Sequence, residues 1–176
     1  MSADELARKT GLYRLGSEED HILSITVRDD RLTLRDLYGD NYDMPMTPIS
    51  PSRFLVAGTP LEFSPAEAGR PQAWHVIDGG GRRLMELPLM KFDISKADLP
   101  SFAGEYRSEE LDVTYTVAIR DSSLMLQSST LYPVSRDAFV GDHMGMVRFL
   151  RNARASITAF TLNRINARGV RFERLK

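Results

Sequence analysis

The sequence predicts an all-β protein of two tandem eight-stranded antiparallel up-and-down barrels, lipocalin- or streptavidin-like, related by internal duplication. Three observations predict it. Apolar residues alternate with period two in short runs: Val113, Tyr115, Val117 and Ile119 share one face of a strand, as a half-buried antiparallel strand requires. Turn formers punctuate the runs at Asp29-Asp30, Ala57-Gly58, Asp78 to Gly81, Gly141-Asp142 and Asn163 to Ala167. Hairpins use such residues for positive φ or side-chain-to-backbone hydrogen bonds. Finally, the stretch Gly104–Leu126 is echoed about ninety residues earlier by Gly11–Leu34, and self-similarity of this kind marks a repeat architecture.

The echo stays in phase along the chain. Leu23, Ile25 and Val27 correspond to Tyr115, Val117 and Ile119, and Arg28-Asp29 to Arg120-Asp121. Pro48 to Phe54 has the spacing of Pro133 to Phe139, and Phe63 to Trp74 that of Phe149 to Phe160. The final strands, 83–87 and 168–175, correspond after a slip of one residue. Each repeat divides into eight strands, near 11–15, 21–28, 31–36, 45–49, 53–57, 60–64, 73–77 and 83–88 in the first. In the second they fall near 104–107, 112–119, 122–127, 130–134, 137–141, 145–151, 156–162 and 168–175. Eight short antiparallel strands close economically into a barrel, which removes exposed edges.

The expected organisation is a polar, helical lead-in or linker over 1–10, a first barrel over 11–88, a linker over 89–102 and a second barrel over 103–176. Asp98-Leu99-Pro100 breaks regular structure within that linker. Inward positions such as Tyr115, Val117, Ile119, Phe139, Phe149 and Phe160 are bulky enough to fill a small barrel. A packed interior is therefore expected in place of a ligand cavity.

Composition excludes several function classes. The chain has 176 residues, a net charge of −1 and a pI near 6.3, which argues against a nucleic-acid or membrane-surface binder. The absence of cysteine removes disulfides, thiolate metal sites and a cysteine nucleophile together. It leaves the compartment open between cytoplasm and periplasm. No apolar run approaches the roughly 20 residues of a membrane span, and the N-terminus lacks the apolar core of a signal peptide.

The basic final segment carries Arg148, Arg151, Arg154, Arg164, Arg168, Arg171, Arg174 and Lys176. Spacings of three on a strand send successive arginines to opposite faces, so no nucleic-acid stripe results. His21, His75 and His143 lack the spacing of a metal pair, and His75 should face away from Trp74 as an exposed or hydrogen-bonded structural histidine. The acidic runs Glu18-Glu19-Asp20 and Glu109-Glu110 occupy the same solvated turn in both repeats. The glycines after Asp78 precede a strand, whereas a phosphate cradle precedes a helix N-terminus. Neither a metal nor a cofactor is expected.

One feature breaks the symmetry between repeats. The segment Leu37–Met46 makes the first repeat longer than the second at this point. It reads either as a hairpin end packing its own side chains or as a partner-contact loop offering Tyr38, Asn41, Tyr42 and Met44.

The run Phe102-Ala103-Gly104-x-Tyr106-Arg107-Ser108-x-Glu110, followed by Tyr115-x-Val117-x-Ile119-Arg120-Asp121-x-x-Leu124-x-Leu126, carries a resemblance. With Pro133-Val134-x-x-Asp137-x-Phe139-Val140 and Val170 to Leu175, it resembles the C-terminal β-barrel region of penicillin-recognising, β-lactamase-like serine hydrolases. The nearest architecture is the D-aminopeptidase type, whose catalytic domain is followed by two eight-stranded barrels. That family's Ser-x-x-Lys and Tyr-x-Asn or Ser-x-Asn elements have no counterpart here, and Lys9-Thr10-Gly11 alone is a bare tripeptide at the start of a strand. A nucleophile needs its base beside it.

The resemblance therefore implies a chain that is not itself an enzyme. It implies a non-catalytic accessory module that shapes access to the cleft of a serine peptidase or esterase, or mediates oligomerisation. Its partners would be the serine-hydrolase catalytic domain and further copies of itself, with no nucleic acid and no membrane. The alternative is a stand-alone lipocalin-like protein for a small apolar ligand. Gly11-Leu12-Tyr13 and Gly104-Glu105-Tyr106 also resemble the Gly-x-Trp opening of lipocalin-type barrels, in which a late-strand arginine covers the ring. That likeness implies Tyr13 and Tyr106 as closing aromatics, with Arg171 or Arg174 as the cation.

Overall fold

The computed structural model describes residues 1–16, 21–38 and 42–175. Glu18, Glu19, Asp20, Asn41 and Lys176 lie outside the described residues. The chain folds as two compact units that part between Lys91 and Phe92, with Leu37 and Tyr38 belonging to the second.

The first unit begins with a short helix, α1 (Ala3–Ala7), closed by a capping box in which Ser2 and Glu5 serve each other's backbone N–H. Such reciprocal caps satisfy two otherwise orphaned donors. Its strands are β1 (Gly11–Arg14), β2 (Ile22–Arg28), β3 (Arg31–Asp36), β4 (Asp43–Pro45), β5 (Thr47–Pro48), β6 (Arg53–Val56), β7 (Thr59–Ser64), β8 (Ala73–Ile77) and β9 (Arg83–Met90). They form one antiparallel sheet in the order β4-β3-β2-β1-β9-β8-β7-β6-β5. The sheet is barrel-shaped and nearly closed: its two edges, β4 and β5, are one continuous piece of chain parted at Met46. Met46 N–H still donates to the Leu32 carbonyl at 2.9 Å before β5 leaves β3 to pair with β6.

The second unit carries a 3-10 turn (Leu99–Ser101) and strands β10 (Gly104–Ser108), β11 (Val113–Arg120), β12 (Ser123–Leu126), β13 (Ser129–Pro133), β14 (Ala138–Gly141), β15 (Gly145–Arg151), β16 (Ile157–Arg164) and β17 (Ala167–Arg174). These eight close into an up-and-down barrel, sealed where Tyr106 pairs with Arg174 and Arg107 with Glu173. Closure leaves no strand edge.

The registers superimpose the repeats residue by residue. Tyr13 faces Leu23 and Leu89 as Tyr106 faces Tyr115 and Arg174. Arg28 pairs with Arg31 as Arg120 pairs with Ser123, around turns whose central residues all have positive φ: Asp29, Asp30, Asp121 and Ser122. That is the two-residue hairpin geometry matching strand twist. Pro48 faces Phe54 as Pro133 faces Phe139, and Phe63 faces Trp74 as Phe149 faces Phe160.

Three details differ from the sequence expectation. The segments ahead of each first strand carry core residues: Leu6 and Leu99, each seven residues before the barrel tyrosine, are buried among the core side chains of their own barrels. A tyrosine hydroxyl then ties each segment down, Tyr13 donating to the Lys9 carbonyl at 2.8 Å and Tyr106 to the Phe102 carbonyl at 2.7 Å. Second, β9 runs to Met90, two residues past the expected barrel limit. Third, Val27 and Ile119 are exposed, because they stand beside the hairpin turns where the strands reach solvent.

Candidate functional site

Because each strand sends alternate side chains inward, the inward residues decide whether a barrel can hold a ligand. In the second barrel they interlock as aromatic rings. Phe160 stacks on Phe172 at 4.7 Å and Phe172 on Tyr115 at 4.8 Å. Phe149 meets Phe102, Phe139 and Phe160 edge-on at 4.8, 5.6 and 5.7 Å. The first barrel is centred on Trp74, with Phe63 and Phe54 rings 5.2 and 5.4 Å away. Both interiors are filled by side chains.

The closing ends of the barrels use different chemistry. Arg174 places its guanidinium 5.9 Å from the centroid of the Tyr106 ring and donates to the carbonyls of Ser101 (3.1 Å), Ile157 (3.3 Å) and Ala103. Arg171 lies elsewhere: on the outside of β17, it donates to Glu173 at 2.6 Å. Position 171 is one strand-step out of phase with 172, which points inward, and 174 reaches round the barrel end to the plug carbonyls. In the first barrel Leu89 stands where Arg174 would, and the plug is held by Trp74 Nε1–H, which donates to the Lys9 carbonyl at 3.3 Å. Gln72 Nε2 adds a bond to the Tyr13 hydroxyl at 2.7 Å. Burial pushes the Tyr13 phenol up to about 12, opposed by these hydrogen bonds, and burial raises Tyr106 too.

Gly11 and Gly104 permit these closures. Both have left-handed φ (145° and 154°), and a Cβ would fall 2.5 Å from Leu89 Cδ1 at the first and 3.0 Å from Arg174 Nε at the second. Lys9, from the Lys9-Thr10-Gly11 tripeptide, is a plug residue: its Nζ donates to the Glu5 carbonyl at 3.0 Å and lies 5.2 Å from the Phe63 ring centroid.

The residues of the asymmetric loop are dispersed. Met44 lies on β4 opposite Leu34 and packs against the first core. Tyr38 is buried, and its carbonyl accepts the Ile165 N–H at 3.3 Å. Tyr42 is 63% exposed, while Asn41 falls outside the described residues. Strand pairing accounts for Met44: Asp43–Pro45 continues the sheet beyond β3 where the sequence reads as loop.

His75 also departs from expectation. It faces away from the Trp74 side of β8, as alternation requires, yet it is buried and makes no hydrogen bond among the described residues. It lines an outer-face pocket of about 450 Å³ with Ser64, Glu67, Arg70, Arg83 and Glu86. Burial pushes its pKa down and Arg83 adds to this, against Glu86 and Glu62. Glu62 is held by Arg53 at 2.9 Å and Arg83 at 3.2 Å, one carboxylate between two guanidiniums.

A matched pair of grooves opens at equivalent places in the repeats. In the first barrel, Met1, Leu6, Asp30, Arg31, Leu32, Pro45, Met46, Thr47, Pro48 and Phe54 line about 410 Å³. In the second, Leu99, Ser122, Ser123, Leu124, Leu131, Tyr132, Pro133 and Phe139 line about 210 Å³ together with Thr130 and the chain's own Phe92, Asp93 and Ile94. By register the walls correspond one to one: Leu6 with Leu99, Leu32 with Leu124, Met46 with Leu131 and Phe54 with Phe139. The grooves were invisible in the sequence, although the shared Leu-to-Tyr spacing of seven marks the plug that floors them.

Among the described residues no cluster of His, Asp and Glu side chains is arranged to hold a metal ion. The Ser108 hydroxyl is buried without a hydrogen-bond partner among the described residues. No helix among the described residues is long and apolar enough to cross a membrane. No family model matches the chain, and no curated protein matches it either.

Proposed function

We propose that the chain is a non-catalytic binding and assembly module that works with a β-lactamase-like serine peptidase or esterase, shaping access to its cleft or holding subunits together. The observation that carries this is the aromatic filling of the closed barrel, from Tyr115 through Phe172, Phe160 and Phe149 to Phe102. A packed interior leaves rims and outer walls as the surfaces that can engage another molecule. The resemblance of Phe102 to Leu126 to the barrels that follow serine-hydrolase catalytic domains supplies the partner.

The test is to mix the purified chain with a Ser-x-x-Lys catalytic domain of the β-lactamase-like serine hydrolases. A change in that domain's substrate range, or a stable complex in light scattering, is the expected outcome. Unchanged activity and separate masses would end the proposal. A small apolar ligand would have to displace rings from the core, so the lipocalin-like alternative predicts a ligand-dependent rise in melting temperature.

A further inference from the structure

His75 is only 6% exposed, yet its imidazole has no hydrogen-bond partner among the described residues. Buried polar groups are normally satisfied, and a neutral imidazole has one donor and one acceptor to place. Here both ring nitrogens open on the outer-face pocket of about 450 Å³, a volume that suits a small molecule. By register, the row Glu62, His75, Glu86 across β7, β8 and β9 takes the place of Arg148, Thr161, Arg171 in the second barrel. The connections ahead of β8 and β16 differ as well. In the second barrel the ladder runs on to Arg151 facing Ile157, whereas in the first it stops at Ser64 facing Ala73. Pro65 and Pro71 flank the break, and proline cannot donate to a ladder. The released residues make a turn of their own, Glu67 and Arg70 exchanging backbone bonds at 3.1 and 2.9 Å, and become a wall of the pocket.

We propose that this pocket binds a small zwitterion, a molecule of amino-acid size with one carboxylate and one ammonium group. The lining carries both signs of charge: the side chains of Arg70, Glu67 and Glu86 make no ion pair among the described residues. Arg83 is engaged with Glu62 and with the Ser64 hydroxyl, which accepts at 2.8 Å and so keeps its own proton to donate. The ligand's carboxylate goes to Arg70, with the Ser64 hydroxyl and the His75 N–H as neutral donors. Its ammonium goes to Glu86, which faces His75 across the ladder. A wholly anionic ligand would meet Glu67 and Glu86, and a wholly cationic one Arg70 and Arg83, so each is repelled by half of the site. Pro65, Pro71 and Ala73 leave an apolar border for a short aliphatic side chain. The site does not depend on any enzyme that the chain serves.

The probe is L-valine, titrated into the full chain while the imidazole resonances of the three histidines are followed by NMR. The His75→Gln variant identifies which signals belong to His75. A saturable shift of those signals is expected, with a dissociation constant on the order of 1 mM, while His21 and His143 stay in place. Valine amide lacks the carboxylate and N-acetylvaline lacks the ammonium, and each should bind about tenfold more weakly or worse. Two exposed positions assign the ends of the ligand without disturbing the core. Arg70→Gln should weaken valine roughly fivefold and erase its advantage over valine amide. Glu86→Gln should erase the advantage over N-acetylvaline instead. No saturation by about 50 mM valine, some fiftyfold above the expected constant, would overturn the proposal. So would equal binding of either blocked form, indifference to Arg70→Gln or to Glu86→Gln, or equal shifts at all three histidines.

Discussion

The two barrels solve the same closure problem with opposite materials. At the position four residues before the barrel tyrosine, the first barrel has Lys9 and the second has Phe102. Lys9 covers Phe63 with its ammonium and stem, while Phe102 meets Phe149 and Phe139 with a ring. At the last strand the exchange runs the other way, apolar Leu89 in the first barrel against Arg174 in the second. The first barrel thus brings a cation to its plug from the N-terminal side, Lys9, and the second brings Arg174 from its last strand, with Arg151 also facing the Phe102 ring. The carbonyls of the plug need donors in both cases. Trp74 and Tyr13 supply them in the first barrel, Arg174 and Tyr106 in the second. A repeat can diverge at its most buried contacts as long as ring packing and donor supply are each kept.

The largest break in the comparison should come from Phe102→Ala. It removes a ring that touches Phe139, Phe149 and the Arg151 guanidinium at 5.2, 4.8 and 5.5 Å. A cavity of that kind costs about 3–5 kcal/mol. Amide exchange of β16 and β17 should accelerate accordingly, while Trp74 emission, which reports the first barrel, keeps its urea midpoint. Loss of the Trp74 signal at the same urea concentration would show that the barrels do not unfold independently.

Arg174→Met should follow, at about 1–3 kcal/mol, because three carbonyls, two of them in part-buried bonds, lose their donor while the packing stem is kept. Arg171→Ala on the same strand should shift stability by less than about 0.5 kcal/mol, since its ion pair with Glu173 is exposed. Equal effects at the two positions, read from urea unfolding followed by amide exchange, would refute the assignment of closure to Arg174.

A loss of about 1–3 kcal/mol at neutral pH is expected for Tyr13→Phe, whose hydroxyl donates to the Lys9 carbonyl and accepts from Gln72 Nε2. Its value lies in its pH dependence. The folded phenol is raised to about 12, against about 10 in an unfolded chain. The folded state therefore keeps its full stability below pH 10 and loses it as pH rises from about 10 towards 12. Tyr13→Phe should flatten that loss in Trp74-monitored unfolding; an unchanged slope would place the titration elsewhere.

Much of this fold was legible in the sequence because its signals are local. The turn pairs Asp29-Asp30 and Asp121-Ser122 set the hairpins, and alternation set which residues face inward. The equal spacings of Pro48 to Phe54 and Pro133 to Phe139 became the same cross-strand pair in both repeats. What escaped was non-local. Nothing around Leu6 announces that it enters the core, although Ser2-x-x-Glu5 marks the helix that delivers it. His75 was placed on the correct face, but its burial depends on residues outside β8 that alternation does not weigh. Met44 was missed because the strand was expected to begin at Pro45, one residue later, and Leu37–Met46 read as a loop. The groove pair depends on how plug, hairpin and return strand converge, which no short window of residues encodes.

The parting of β4 from β5 at Met46 has one more consequence. A barrel that fails to close presents two strand margins, and bare margins invite neighbouring molecules to pair and build aggregates. Here the margins are short, and each carries a proline, Pro45 on β4 and Pro48 on β5. Both prolines lack the backbone donor that a passing chain would need there, so the margins of the incomplete barrel are poor templates for edge-to-edge pairing.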